Sequence, residues 1–197
     1  MIYTLSGELV KRNENNFILE NAGIGFQILS NQQTLGDLPA YGEKVRVFCF
    51  LYIRETRVEL YGFMTEETLK FFELLNTVSG IGPKTALGIL DAGPVANLMA
   101  SVVEKKTEFL TRSSGIGQKT ADRIVLELQN KIKLPKTFKG LTDAMAVDDE
   151  IESALIGLGY SRNEARQMLK KAPPASGDKV DFAERLKQVL KKPTNNE

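Results

Sequence analysis

Two stretches in the middle third of the chain combine residue types and spacing that suit anion binding. Ser79 to Leu90 reads SGIGPKTALGIL and Ser114 to Val125 reads SGIGQKTADRIV. Ser, Gly, Ile, Gly, Lys, Thr, Ala and a later Ile coincide, so one supersecondary unit is used twice: helix, tight Gly-Ile-Gly turn, helix. Gly80 and Gly82, with Gly115 and Gly117, allow positive φ and put no Cβ between the turn and whatever approaches it. Backbone N–H groups are thereby exposed. Ile81 and Ile116 are expected to point inward and anchor each hairpin. The helix that follows each turn presents free N–H donors at its positive end, a ready anion site. Lys84 and Lys119 fall in the first turn of that helix, where a cation opposes the dipole by about 0.3 to 1 kcal/mol. A bound phosphate reverses that penalty. Thr85 and Thr120 add hydroxyl donors or simply cap. An ordinary helix-helix turn with solvated lysines explains a single copy equally well, but turn geometry needs the glycines and not a lysine at the same offset twice.

Composition narrows what else the chain can do. It has 197 residues, with 26 Lys plus Arg against 25 Asp plus Glu, no His, no Trp and one cysteine, Cys49. That inventory excludes a Cys/His zinc cluster, a His-based triad and an iron-sulfur cluster held by four local thiolates. No cofactor or metal is implied. An internal disulfide is impossible with one thiol, and a reduced cytosolic setting fits. The N-terminus MIYTLSGELVKRN lacks a basic segment followed by a long apolar stretch, and no run approaches a membrane span, so a soluble intracellular protein with no membrane partner is expected. The charges stay balanced in each third of the chain, so nucleic-acid contact must come from placed donors and not from a general cationic coat. Neither turn satisfies GxxxxGK[ST], because Pro83 or Gln118 precedes the lysine, so no ATPase is encoded in them.

The elements that must position these turns follow from periodicity. Residues 1–63 read as β: Phe17 to Asn21, Ile24 to Ser30 and Lys44 to Ile53 are rich in β-branched and aromatic residues. Val45, Val47, Cys49, Leu51 and Ile53 mark the buried face of a long strand, and five or six short strands point to a small OB-like barrel. At Thr65 the period becomes helical, with Thr65 as cap, Glu66 and Glu67 in the first turn, and Phe71, Leu74, Leu75 and Val78 as a stripe. Short helices run to about residue 134. Pro135 to Val147 has no sustained period and reads as a flexible tether. Beyond it, Ile151, Ala154, Leu155 and Leu158 form one stripe, Ser161 with Glu164 a capping box, and Phe182, Ala183, Leu186, Val189 and Leu190 another. The fold class is therefore multidomain α+β: an OB-like barrel at 1–63, an all-α double-hairpin domain at 64–134, a linker at 135–147 and a small three-helix domain at 148–197.

The paired segments resemble the helix-hairpin-helix motif, a sequence-independent binder of the DNA backbone. The order of parts resembles the RuvA family of Holliday-junction-recognising subunits of the bacterial RuvAB branch-migration complex. LYIRE at Leu51 to Glu55, LYGF at Leu60 to Phe63 and GLGY at Gly157 to Tyr160 carry the likeness along essentially the whole chain. The resemblance implies a tetramer-forming OB-fold, a double-hairpin domain that grips the arms of four-way junction DNA, and a C-terminal domain that docks on the hexameric RuvB ATPase. It also implies recruitment of the RuvC resolvase and a homotetramer that can stack into an octamer. DNA contacts carry over to Ser79, Gly80, Ile81, Gly82, Lys84 and Thr85 in the first hairpin. In the second they carry over to Ser114, Gly115, Ile116, Gly117, Gln118, Lys119, Thr120 and Arg123. The family's acidic pin, two adjacent carboxylates that help separate strands at the crossover, is matched by Glu55, whereas Thr56 stands in the second position. Without the resemblance Glu55 is a solvated loop carboxylate with Arg54 and Arg57 as its partners. RuvB-facing candidates are Leu158, Tyr160, Met168, Leu169, Leu186 and Leu190, although a unit this small needs most of its apolar stripe inside.

Two other readings compete with this non-catalytic one. SGIGQKTA also resembles the hairpin of base-excision glycosylases, with Lys119 as Schiff-base nucleophile, but the Asp143 that would assist it falls in the tether. A plain single-strand binder would use Phe17, Phe26, Phe48, Phe50 and Tyr52 as stacking platforms. Alternation sends Phe17 and Phe26 to the core and leaves the other three on the opposite face, where they would equally serve a subunit interface.

Overall fold

A computed structural model of the chain describes residues 2–113, 115–132, 141–172 and 181–190. The chain divides into two compact units, Met1–Lys133 and Leu134–Glu197.

In the first unit, β1 (Thr4–Arg12), β2 (Asn16–Asn21), β3 (Ile24–Leu29), β4 (Lys44–Arg54) and β5 (Arg57–Phe63) close a barrel in the order β1-β2-β3-β5-β4. Closure runs through a parallel contact of β3 with β5, where Leu29 pairs with Tyr61. Period-two alternation sends Leu9, Phe17, Leu19, Ile28, Val47 and Cys49 inside. A six-residue helix, α1 (Gln32–Asp37), adds Leu35 to that core and is held by Arg12, whose Nη1 donates to Leu35 O at 3.0 Å. It is too short for a helical period to register in the sequence.

The inward face of β4 ends before the sequence pattern does. Ile53 is 64% exposed and its cross-strand partner Val58 is 69% exposed, because the β4-β5 hairpin outruns the barrel. The opposite face is covered within the unit. Helix α2 (Glu66–Asn76), capped by Thr65 whose Oγ1 accepts from Thr68 N at 3.2 Å, lays Phe72 against it. The Phe72 ring centroid is 4.9 Å from Phe63, 5.2 Å from Tyr61 and 5.6 Å from Phe50. Tyr52 packs edge-on against Tyr61 and Phe48 against Tyr3. The rings expected as stacking platforms are thus packed against neighbours, and α2 joins the barrel to the hairpins. The boundary expected at residues 63 and 64 is therefore a packed seam.

After α2 come α3 (Pro83–Leu90), α4 (Val95–Val103), α5 (Glu108–Thr111) and α6 (Gln118–Leu128). Ile89, Leu90, Leu98, Val102, Ile124 and Leu128 form their buried faces. Gln32 N donates to Asp91 Oδ1 at 2.6 Å, which ties the start of α1 to the end of α3. Among the described residues no single helix is long and apolar enough to cross a membrane.

The second unit contains α7 (Leu141–Gly157), α8 (Arg162–Lys171) and α9 (Phe182–Leu190). Helix α7 starts inside the expected tether, so residues 141–147 are helical; the aperiodic remainder, 135–140, lies outside the described residues. Ile151, Leu155, Ala165 and Val189 form the core, with Met168, Leu169, Phe182 and Leu186 packed against it. The capping box is present: Glu164 N donates to Ser161 Oγ at 3.3 Å and Ser161 N to Glu164 Oε2 at 2.8 Å. A half-buried ion pair holds α9 to α7, with the buried Arg185 donating from Nε at 2.8 Å and from Nη2 at 3.2 Å to the two oxygens of Asp148.

Candidate nucleic-acid interface

The repeat in sequence is a repeat in space. Gly80 and Gly115 take φ 86° and 83°, the left-handed conformation that a side chain resists. Ile81 and Ile116, each 5% exposed, anchor the turns, and their amides donate to Val78 O at 3.0 Å and Ser113 O at 3.1 Å. Gly82 and Gly117 are the N-caps of α3 and α6, at φ −102°, ψ 175° and φ −87°, ψ 171°. Their backbone is extended, so positive φ is needed at only one glycine of each pair and not at both as expected. A Cβ built on Gly82 or Gly117 meets nothing within 4 Å. No neighbour inside the protein crowds these two positions, although glycine suits an N-cap better than alanine does. They leave the turn surface open to close approach from outside.

Neither α3 nor α6 has a side-chain cap, so no cap side chain accepts from the first-turn amides; Pro83 brings no N–H to α3, and in α6 Thr120 N donates to Gly117 O at 3.0 Å. Lys84 and Lys119 are exposed beside them, and Thr85 and Thr120 are half-buried in the same turn. Ser79 is exposed; Ser114 lies outside the described residues. Other candidates are committed within the protein. The Gln118 amide nitrogen donates to Thr107 Oγ1 and Asp122 Oδ1, each at 2.8 Å. Arg123 Nη1 donates to Ser79 O at 3.1 Å, so a side chain on the second hairpin's helix holds the first hairpin's turn. Sequence reasoning casts Arg123 only as a donor to DNA and does not single out Thr107 or Asp122. The i, i+4 spacing of Gln118 and Asp122 is the available signal.

Glu55 occupies the exposed tip of the β4-β5 hairpin. Arg54 and Arg57 are not its partners. Arg54 Nε donates to Tyr52 Oη at 2.8 Å, and Arg57 lies 3.6 Å from Glu59, which accepts from Tyr61 Oη at 2.7 Å. Burial first, and then the hydrogen bond to Glu59, push the Tyr61 phenol well above its usual range. Between this hairpin and the first Gly-Ile-Gly turn lies an open cleft of about 340 Å³, lined by Arg54, Arg57, Glu59 and Lys84 among others. No group of three or more His, Cys, Asp or Glu among the described residues is arranged to hold a metal ion.

Of the six apolar candidates in the second unit, Leu158, Tyr160 and Leu190 are 65%, 39% and 41% exposed. Met168, Leu169 and Leu186 pack on the core instead, because a three-helix unit needs its stripes inside. Asp143 belongs to α7 in this second unit and Lys119 to the first, so helix rather than tether carries the acid of the glycosylase reading.

Three family models cover most of the chain. "RuvA N terminal domain" matches residues 1–62, "SAM-like Helix-hairpin-helix tandem" residues 72–130, and "RuvA, C-terminal domain" residues 146–192. Among curated proteins, the chain is 41% identical over 196 residues to the Holliday junction branch migration complex subunit RuvA of Neisseria meningitidis serogroup C, covering 97% of this chain and 100% of that one. It is 38% identical to the subunit of that name from Clostridium beijerinckii, covering 95% and 96%. The identity is 34% with that from Acetivibrio thermocellus, covering 97% and 98%. With a closed barrel, twin hairpins and a three-helix unit in the same order, the chain belongs to the RuvA family.

Proposed function

We propose that this chain is a non-catalytic, cytoplasmic subunit that binds Holliday junction DNA in branch migration, holding the junction open and square for recombination and repair. One observation carries the reading: two equivalent turns, on one compact unit, each with an N-cap glycine whose missing Cβ serves no internal packing. Each turn adds an exposed lysine and a helix start without a side-chain cap. Such a surface suits the phosphates of neighbouring strands and reads no bases. The relatives' name, branch migration complex subunit, supports the same conclusion.

The finer assembly belongs to the same proposal. Four copies gather around one crossover, with an octamer formed by two such tetramers, and the overhanging Ile53–Val58 pair supplies apolar surface for contact between copies. Glu55 at the hairpin tip then clusters at the centre as the acidic pin, repelling phosphates even with Thr56 beside it. Lys84, Lys119 and the amides of both turns hold the arms. Leu158, Tyr160 and Leu190 offer the surface for the RuvB ATPase, which supplies the motor, and RuvC resolvase joins the assembly.

Mobility-shift competition tests the reading. A four-way junction outcompetes linear duplex and single strand of equal length, and Lys84→Ala or Lys119→Ala makes the salt slope shallower by roughly one for each phosphate no longer neutralised. Preference for single strand, or an unchanged slope, overturns it. Borohydride trapping on abasic DNA yields no Lys119-dependent adduct, and native mass with a junction shows multiples of four chains.

A further inference from the structure

We propose that the cleft between the β4-β5 hairpin and the first Gly-Ile-Gly turn is a separate phosphate subsite, used by a strand where it leaves a junction arm for the crossover. The inference rests on the junction-binding reading above and assigns part of that path to residues outside the hairpins.

Three elements bring cations to this cleft: Arg54 comes from the end of β4, Arg57 from the start of β5 and Lys84 from α3. Arg54 and Arg57 are direct cross-strand partners, so both guanidiniums leave the same face of the hairpin. Like charges so opposed are unfavourable in a free hairpin. Internal partners relieve this only in part. Arg54 lies 5.1 Å above the Tyr52 ring and spends only Nε on its hydroxyl, which leaves both Nη groups as donors. Arg57 has a loose approach to Glu59, and that carboxylate is shared with Tyr61. One carboxylate against three cations leaves the cleft positive. A planar guanidinium offers the paired donors that a phosphodiester accepts, and a tyrosine beneath it limits its freedom before binding.

Position gives the subsite its purpose. Lys84 borders both the first turn and the cleft, so a strand gripped at the turn continues along the same wall toward the hairpin. Glu55 follows Arg54 directly at the tip. A phosphate seated between the arginines is drawn in, while one further toward the tip meets a carboxylate. The hairpin thereby marks where each strand stops being held and starts being pushed apart.

The full-length Arg54→Gln/Arg57→Gln variant tests this against a labelled four-way junction and a linear duplex of equal length, across a potassium chloride series. Junction affinity is expected to fall about tenfold with a salt slope shallower by about one to two, while duplex affinity changes by less than about twofold. A neutral methylphosphonate beside the crossover weakens the native protein but costs the variant nothing further. Arg54→Lys/Arg57→Lys, which keeps the charge, keeps the slope and controls for misfolding. Unchanged junction binding overturns the proposal, as does an equal loss on both DNAs. If the native protein shows no preference for the junction at all, the junction-binding reading fails instead.

Discussion

At Gly80 and Gly115 the φ angles of 86° and 83° put a Cβ into the left-handed region, which costs about 1 to 2 kcal/mol per residue. At Gly82 and Gly117 the extended backbone tolerates any residue, and a Cβ there would stand in open space. Alanine at the two kinds of position should therefore separate folding from binding. Gly80→Ala or Gly115→Ala lowers the melting temperature by the amount that strain implies. Gly82→Ala or Gly117→Ala gives up only the N-cap preference for glycine over alanine, about 0.5 to 1 kcal/mol, yet weakens four-way junction binding on the order of tenfold if the new methyl group meets an approaching phosphate. Melting curves alongside gel-shift titrations check both halves; a Gly82→Ala variant that binds like the native chain would mean that no phosphate comes close enough to need a glycine there. The sequence alone could not make this distinction. GIG is legible as a turn, but which glycine carries the positive φ depends on where the helix begins.

Between elements, the decisive link is Arg123. Its Nη1 donates to Ser79 O, so helix α6 of the second hairpin fixes the turn of the first, across 44 residues of chain. If Arg123 served only its own phosphate, losses from Arg123→Ala and Lys84→Ala would add. As a brace for the first turn it predicts coupling between them, of about 0.5 to 3 kcal/mol in a double-mutant cycle on junction binding. The same cycle with a change outside the hairpins, such as Leu158→Ser, should be additive. Additivity for Arg123 and Lys84 would return Arg123 to the role of a simple phosphate donor. The long-range character of this bond explains why spacing does not find it. Local periodicity marks the α2 stripe, the Thr65 cap, the capping box and three of the five strands, since each depends on neighbours within a few residues. It gives no view of which ring meets Phe72 or Tyr61, so Phe50 and Tyr52 stay open to a binding role until Phe72 of α2 is seen against the first and Tyr61 edge-on to the second. In the β4-β5 hairpin the register that makes Arg54 face Arg57 is legible only once both strand ends are known.

On the scale of the whole molecule, two compact units have stabilising features of different kinds, and one cysteine distinguishes them. Cys49 lies fully buried in the barrel, where desolvation pushes its thiol up to about 11 against a backbone hydrogen bond from Leu5 that acts the other way. A thiol whose pKa is raised by folding stabilises the native state while it is neutral. That contribution is complete below the unfolded thiol's value of about 8.5, and it is lost as pH rises toward about 11. Because the thiolate is the nucleophile, a thiol reagent at pH 8 should modify Cys49 only as the first unit opens. The second unit has no thiol, and its buried charge is Arg185, held by Asp148. Asp148→Asn removes the carboxylate that accepts from both Nε and Nη2 of a buried guanidinium, and so weakens the packing of α9 on α7. The expected outcome is loss of helical signal from the C-terminal unit on mild heating, with Cys49 labelling at pH 8 as slow as in the native chain and junction affinity retained. Rapid labelling of Cys49 in the same variant would mean that the two units unfold as one, against the separate roles proposed for them.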